Sequence, residues 1–297
     1  MKKATVIVLT VLMIFGMCFT SSAAKKLTEG VTILNPRKNI HGVGYEWDNP
    51  NDTLTLTDLY IDTTDDYGLK LPDKATVILK GTNRIKASKA ALYIGGDVII
   101  KGSGSLILES DGYGIMCNSS DGKDKLSIIG GTVEITAKTG IYSAVQKVSL
   151  SDAKITVTAS EYAADVRDLV LSDGVRFSAD STLMASSSMS IEAANLKIDA
   201  CGKPALICEN GITMTKMDIM VGNVTKNLAS AEKYDGEFAL ETSSTWKYIR
   251  SSIIFGEGVP MVWDIVLFVV LALCAAAAVV LPIYFKKRKL KKILASK

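Results

Sequence analysis

The chain has 297 residues, 48% of them hydrophobic, enough for one sizeable domain with appendages. Its formal charge of +3 comes from one terminal stretch, "KKRKLKK" (286–292), and without residues 286–297 the remainder is mildly acidic. That excludes a general nucleic-acid-binding surface, which needs basic residues across the fold, and points to a membrane flank instead.

In chain order, residues 1–24 read as a secretory signal peptide. Lys2 and Lys3 precede an apolar run from Ala4 to Phe19, and Ser22 and Ala24 suit a cut after Ala24. Met17 is too large for the residue before a lipidated cysteine, which argues against lipidation at Cys18. Residues 25–52 are expected to cap the open edge of the first repeat, because an unpaired strand row invites aggregation.

From 53 to 228 the sequence repeats itself. "GSGSLILESDGYGIM" (102–116), "GGTVEITAKTGIYS" (130–143) and "DAKITVTASEYAADV" (152–166) each carry a turn, an alternating strand, a break and a small residue beside an aliphatic one. A first inward pair recurs at Leu54/Leu56, Val77/Leu79, Val98/Ile100, Leu126/Ile128, Val148/Leu150, Leu169/Leu171, Met189/Ile191 and Ile212/Met214. A second pair comes after each turn, for example Asn83/Ile85, Leu106/Leu108, Ile155/Val157, Val175/Phe177 and Ile219/Val221. A third short strand is marked by "YGL" (67–69), "AAL" (90–92), "YGI" (113–115), "TGI" (139–141) and "PAL" (204–206). The unit is 20–28 residues long. Side chains alternate faces along a strand, and one such unit has too little core alone, so units must stack.

Three strands per unit with tight corners predict an all-β right-handed parallel β-helix of about eight coils, spaced about 4.8 Å apart. Ile100, Ile128 and Leu150 should then share one wall. Leucine-rich repeats need a Leu/Asn framework that is absent, and a β-sandwich would show antiparallel hairpins. Residues 229–260 are expected to finish the stack and lead to the membrane. Residues 261–285 read as one transmembrane helix: Ile265 to Phe285 carries no charge, Trp263 and Tyr284 sit at interfacial positions, and the basic tail (286–297) comes directly after. The positive-inside rule keeps that tail cytoplasmic and places residues 25–260 outside the cell membrane.

The alignment places Cys117 and Cys208 inward in the third strand, four coils or about 19 Å apart, beyond disulfide reach. They read as core residues, and Cys201 as unpaired. No Cys/His spacing of zinc type occurs.

Catalytic chemistry finds little support. Enzymes acting on polysaccharides need converging carboxylates, or Asp clusters with a basic partner. The outward ladder of the second strand runs Glu134, Thr156, Arg176, Lys197 with no stacked acids, and the single histidine, His41, has no evident partner. "DTTDD" (62–66), "HGVGYEWDNPND" (41–52) and "MCNSSDGKDK" (116–125) offer oxygen clusters that could take calcium. The metal residues stay unassigned, since such turns are common without metal. Tyr93 and Tyr142 turn outward on one wall, with Met116 between them by coil, and an exposed aromatic patch can stack on sugar rings. Tyr67, Tyr113 and Tyr162 read as corner packing.

"GYEWDNPNDTLTLTDLYID" (44–62) and then "YGLKLPDKATVILKGTNRI" (67–85) resembles the bacterial carbohydrate-binding domain family of exported right-handed β-helix proteins in Gram-positive bacteria. The resemblance rests on Trp47-Asp48, "TLTL" (53–56) and "ATVILKGTN" (75–83), and spans about residues 40–225. It implies non-catalytic binding of acidic or neutral polysaccharide, with calcium in some members. The expectation is a single-pass surface protein that binds cell-surface glycan or polysaccharide through Tyr93 and Tyr142, with no enzyme activity. The alternative is a structural stalk or a protein-interaction and adhesion module of the envelope.

Overall fold

A computed structural model describes residues 25–33, 38–222, 232–235, 238–240 and 247–253. The expected signal peptide, transmembrane helix and basic tail lie outside the described residues. Among the described residues no helix is long and apolar enough to cross a membrane.

The described chain is all-β, a solenoid of about seven turns. Each turn crosses three walls. The first wall stacks Thr53–Thr57, Ala75–Lys80, Val98–Gly102, Lys125–Ile129 and then 147–151, 168–172, 188–192 and Ile212–Thr215, all parallel. The second runs from Lys26–Leu27 and Tyr60–Asp62 to Asn195–Asp199, and the third from Val31–Thr32 and Tyr67–Leu71 to Leu206–Cys208. In the middle turns the strand does not break at corners. Thr132–Ser151 and Lys154–Ser172 bend through all three walls, with register shifts between Ala137 and Thr139 and between Ser143 and Lys147.

The alternation in the sequence produces this stack directly. Ile100, Ile128 and Leu150 are successive partners on the first wall, as expected. Inward residues of all three walls form one continuous core from Ile33 to Ile249. Each buried aliphatic side chain contributes roughly 1.5–3 kcal/mol of transfer free energy, so the column supplies what a single turn lacks. The buried Asn83 ties three turns together: its Oδ1 accepts from the Leu59 amide (3.0 Å), and its Nδ2 donates to the carbonyls of Lys80 (3.1 Å) and Ser105 (3.2 Å).

The corners explain the recurrent small or polar turn. Every passage from first to second wall goes through a left-handed residue: Asp58, Gly81, Gly102, Gly130, Asp152, Asp173, Ala193 and Lys216. Gly and Asp tolerate that conformation best. At Gly81 a Cβ would also stand 2.1 Å from Asp58 Oδ1, the oxygen that accepts the Thr82 amide at 2.8 Å.

Three expectations change. The inward pair in the sixth copy is Phe177/Ala179, not Val175/Phe177, since Ile155 partners Phe177 and Val157 partners Ala179. This moves Ser178 into the ladder between Thr156 and Lys197, and sets Arg176 against Lys154. The turn count is about seven rather than eight. In the eighth copy Met217–Gly222 does not stack on Asn195–Asp199, because Tyr248–Ile253 runs between them, antiparallel to both.

Antiparallel strands cover the first wall at both ends and the second wall at the far end, while Lys26–Leu27 and Val31–Thr32 pair parallel at the start of the other two walls. At the start, the hairpin Ile40–Gly42 and Tyr45–Asp48 lies along Thr53–Thr57, with Trp47 buried opposite Leu54. At the far end Phe238–Leu240 pairs with Ile212–Thr215, and Glu232–Asp235 with Met217–Gly222. Reversing direction at an edge removes the template on which a second parallel stack would grow.

Candidate functional site

The outer face of the third wall carries two columns of side chains. The first reads Tyr67, Ala90, Tyr113, Thr139, Tyr162, Thr182, one residue per turn. The second reads Lys70, Tyr93, Met116, Tyr142, Asp165, Met184. Between them the strand points inward at small residues. At Gly114 a Cβ would stand 2.1 Å from Ile135 Cγ2 and 2.7 Å from the Gly140 carbonyl oxygen, so the tyrosine beside it is carried on a wall that lies tight on the core.

Tyr93 and Tyr142 face outward and are partly exposed, with Met116 between them by turn, where alternation placed them. Tyr67 and Tyr113 are not corner packing alone. The Tyr67 and Tyr93 rings meet edge-on at 4.8 Å between centroids, and Tyr113 and Tyr142 at 4.9 Å with a 41° tilt. Each dyad therefore spans two adjacent turns on the diagonal. The small members of the first column, Ala90 and Thr139, are buried. Tyr162 has Met184 at the position that would complete a third dyad.

Polar groups rim the first dyad. Lys70 Nζ lies 4.2 Å from the Tyr67 ring centroid and 5.9 Å from that of Tyr93, and Lys89 Nζ is 5.5 Å from Tyr67. The hydrogen bond to the Tyr67 phenol holds the Lys89 ammonium above the usual lysine range. Asn118 Nδ2 donates to Tyr93 Oη at 3.0 Å, fixing the phenol. At the other end, burial pushes the Asp165 carboxyl up. Edge-on aromatic pairs leave apolar ring surface free for the C–H faces of a sugar, while ammonium, amide and phenol groups can bond its hydroxyls or carboxylates.

Three shallow depressions among the described residues lie off the aromatic strip. Two adjoining ones, of about 320 and 500 Å³, share Thr156, Ser178 and Lys197 on the second wall. One of about 460 Å³ lies among residues 25–32 with Val43 and Tyr45. A flat surface suits a long polymer better than a small molecule, which needs concave enclosure.

The three oxygen clusters do not converge. Asp62 pairs with Lys26 at 2.5 Å, and that hydrogen bond holds its carboxyl below the usual range. Asp65 Oδ2 accepts the Gly30 amide at 2.9 Å, and Asp121 Oδ1 accepts the Lys123 amide at 2.9 Å. Asp48 accepts from Asn51, and His41 faces Glu46 at 3.5 Å. Among the described residues no group of three or more His, Cys, Asp or Glu is placed to hold a metal. Asp65 holds the backbone of the neighbouring turn, whereas Asp62, Asp48 and Glu46 face side chains and Asp121 its own loop, so the calcium reading has no geometric support there. Cys117, Cys201 and Cys208 are free; burial pushes the Cys117 thiol up to about 12, which keeps it an inert core group.

In the second wall's outward ladders Glu134 stands between Ile107 and Thr156, whereas the observed register carries Asp180 to the position one turn before Asp199. Asp180 and Asp199 both line the depression of about 500 Å³, and Asp180 Oδ1 accepts the Ala159 amide at 2.8 Å. Glu109 pairs with Arg84 at 3.0 Å and lies 4.0 Å from Lys86. On the first wall, desolvation alone would raise the Asp168 carboxyl. Hydrogen bonds from the Ser188 hydroxyl, the Arg167 guanidinium and Ser187 together outweigh it and hold the group below the usual carboxylate range.

No curated protein and no solved structure matches the chain. A family model described as "carbohydrate-binding domain-containing protein" matches residues 54–245, which covers all but the first strand positions of the solenoid and the whole aromatic wall. With that match over more than half its length, the chain belongs to the family of carbohydrate-binding domain-containing proteins.

Proposed function

We propose that the solenoid is a non-catalytic glycan-binding module whose contact surface is the outer face of the third wall. Tyr93 and Tyr142 are its stacking residues, and Tyr67 and Tyr113 complete their dyads. The observation that carries this reading is the ordered aromatic column on a flat wall within the span matched by the family model. A signal peptide at 1–24 and a membrane helix at 261–285 would display the module on the cell surface with residues 25–260 outside, a reading supported by their apolar composition and the basic tail.

The test is retention of the full-length protein on a panel of plant, host and cell-wall polysaccharides. We expect retention on at least one polymer, no release of reducing sugar, and loss of retention in Tyr93→Ala/Tyr142→Ala. Equal retention of the double variant sinks the site, and product release sinks the non-catalytic assignment.

A second reading, a protein-interaction module, is favoured by one feature of the second wall. Lys154 and Arg176 are partners there, as are Lys197 and Arg250, and no ion pair among the described residues involves any of the four. Crosslinking that recovers a protein through this face, with no glycan retained, would replace the first reading by the second.

A further inference from the structure

We infer that the bound glycan runs parallel to the solenoid axis with one tyrosine dyad to every two sugar residues, so that the wall selects polymers that form a flat, two-fold ribbon. This rests on the glycan-binding reading above and adds a direction, a register and a polymer shape to it.

The first column sets the period. Its large residues do not occur every turn: Tyr67, Tyr113 and Tyr162 alternate with Ala90, Thr139 and Thr182. The second column answers this alternation. Tyr93 stands in the same turn as Ala90 and leans onto Tyr67, while Tyr142 stands in the same turn as Thr139 and leans onto Tyr113. The aromatic surface therefore repeats every two turns, about 9.6 Å at a strand spacing of about 4.8 Å.

A pyranose in an extended chain advances by about one strand spacing, so two sugars cover one repeat of the wall. In a two-fold ribbon successive sugars are turned over, and every second sugar offers the same ring face. A chain laid along the axis then meets successive dyads with the same face. The intervening sugars lie over Ala90 and Thr139, the small buried positions of the first column, with the Tyr93 and Tyr142 rings beside them in the second column. A chain laid across the walls would meet one dyad and then leave the aromatic surface at the corner. A helically coiled polymer would lift off the flat wall after the first dyad. The strip is also polar along its length, with Lys70 and Lys89 at the Tyr67 end and Asp165 beyond Tyr142. That asymmetry gives the chain a preferred direction.

Isothermal titration of the full-length protein in detergent tests this, with β-1,4-linked gluco- and manno-oligosaccharides of two to eight residues against α-1,4-linked gluco-oligosaccharides of the same lengths. The expected result for the ribbon series is affinity that rises in a step when the oligomer first reaches a second dyad, about tenfold for a stacking contact of this kind. The coiled series should show no such step. Tyr113→Ala should remove the step; Tyr113→Phe, which keeps the ring and its packing, should retain it. Ribbon oligomers that bind without a length step, or a step that survives Tyr113→Ala, overturn the axial register while leaving the glycan-binding reading in place. No binding by any oligosaccharide or polysaccharide overturns both.

Discussion

The second and third walls stand on the same core yet present opposite chemistry outward. The second is charged, with Arg84 and Lys86 against Glu109 on its early turns and the cations Lys154, Arg176 and Lys197 on its later ones. The third holds two ring dyads in four turns, with ammonium groups at one end and a desolvated carboxyl at the other. Inward positions are near-interchangeable aliphatics on both walls. A solenoid thus separates its two problems: the inner face of each strand holds the stack together, and the outer face is free to vary turn by turn.

The sharpest way to break that separation is to exchange faces at neighbouring positions. Ile128 is buried on the first wall and Ile129, the next residue, is 44% exposed. Ile128→Ala should cost about 2–5 kcal/mol, the range for truncating a packed aliphatic side chain. Ile129→Ala should stay within about 0.5 kcal/mol. Denaturant midpoints tracked by circular dichroism measure both, and similar losses at the two sites would show that the inward column is not the source of stability.

The next effect compares the two walls as surfaces. Tyr93→Ala should weaken polysaccharide binding about tenfold, a loss of about 1.4 kcal/mol. Arg176→Ala on the second wall should leave it unchanged, and affinity electrophoresis in gels containing the retained polymer reads both. A larger loss at Arg176 would move the glycan to the second wall.

The inward pairs were legible because a period of two is unambiguous where one face is buried and the other wet. Legibility failed where that contrast weakens. Ala179 is inward but too small to announce itself, while Val175 is buried at the corner behind Asp173 and Gly174, so alternation alone favours Val175/Phe177 as the pair. The insertion of Tyr248–Ile253 beside Asn195–Asp199 leaves no local mark, since the pairing of Lys197 with Arg250 joins segments far apart in the chain. Of the site, the outward direction of Tyr93 and Tyr142 is read from alternation alone. The dyads are not, because Tyr67 and Tyr93 meet on a diagonal between turns, and alternation says nothing about lateral offset. The signal was present in a different form, as a tyrosine in every second copy at 67, 113 and 162.

The corners allow a smaller test, between early and late turns. The first wall leaves through Asp58 or Gly81 early in the stack but through Ala193 and Lys216 late, all left-handed. An L residue with a plain side chain suffers steric strain there that glycine avoids. Ala193→Gly should therefore raise stability by about 0.5–1 kcal/mol, after the backbone entropy that glycine loses on folding. Thermal melts of the two chains decide it; a fall in melting temperature would mean that Ala193 is held by packing its methyl group rather than tolerated.

The smallest effect returns to the two walls and concerns their carboxylates. Glu109 on the second wall has Arg84 and Lys86 beside it, whereas Asp165 on the third is raised by burial, with no paired cation among the described residues. In the unfolded chain Asp165 titrates near the ordinary value of about 3.9. Between that pH and its higher folded value, the native state binds the proton more tightly, so stability declines as pH rises through this window. Above it the cost of a half-buried charge is fully present. Asp165→Asn removes the charge and keeps the shape. Its denaturation midpoint should match the native protein near pH 3, then stand above it by a margin that grows up to the folded pKa and is constant beyond. A margin that shrinks with rising pH would mean that a cation reaches Asp165 in solution, and the third wall would be less different from the second than its aromatic columns make it.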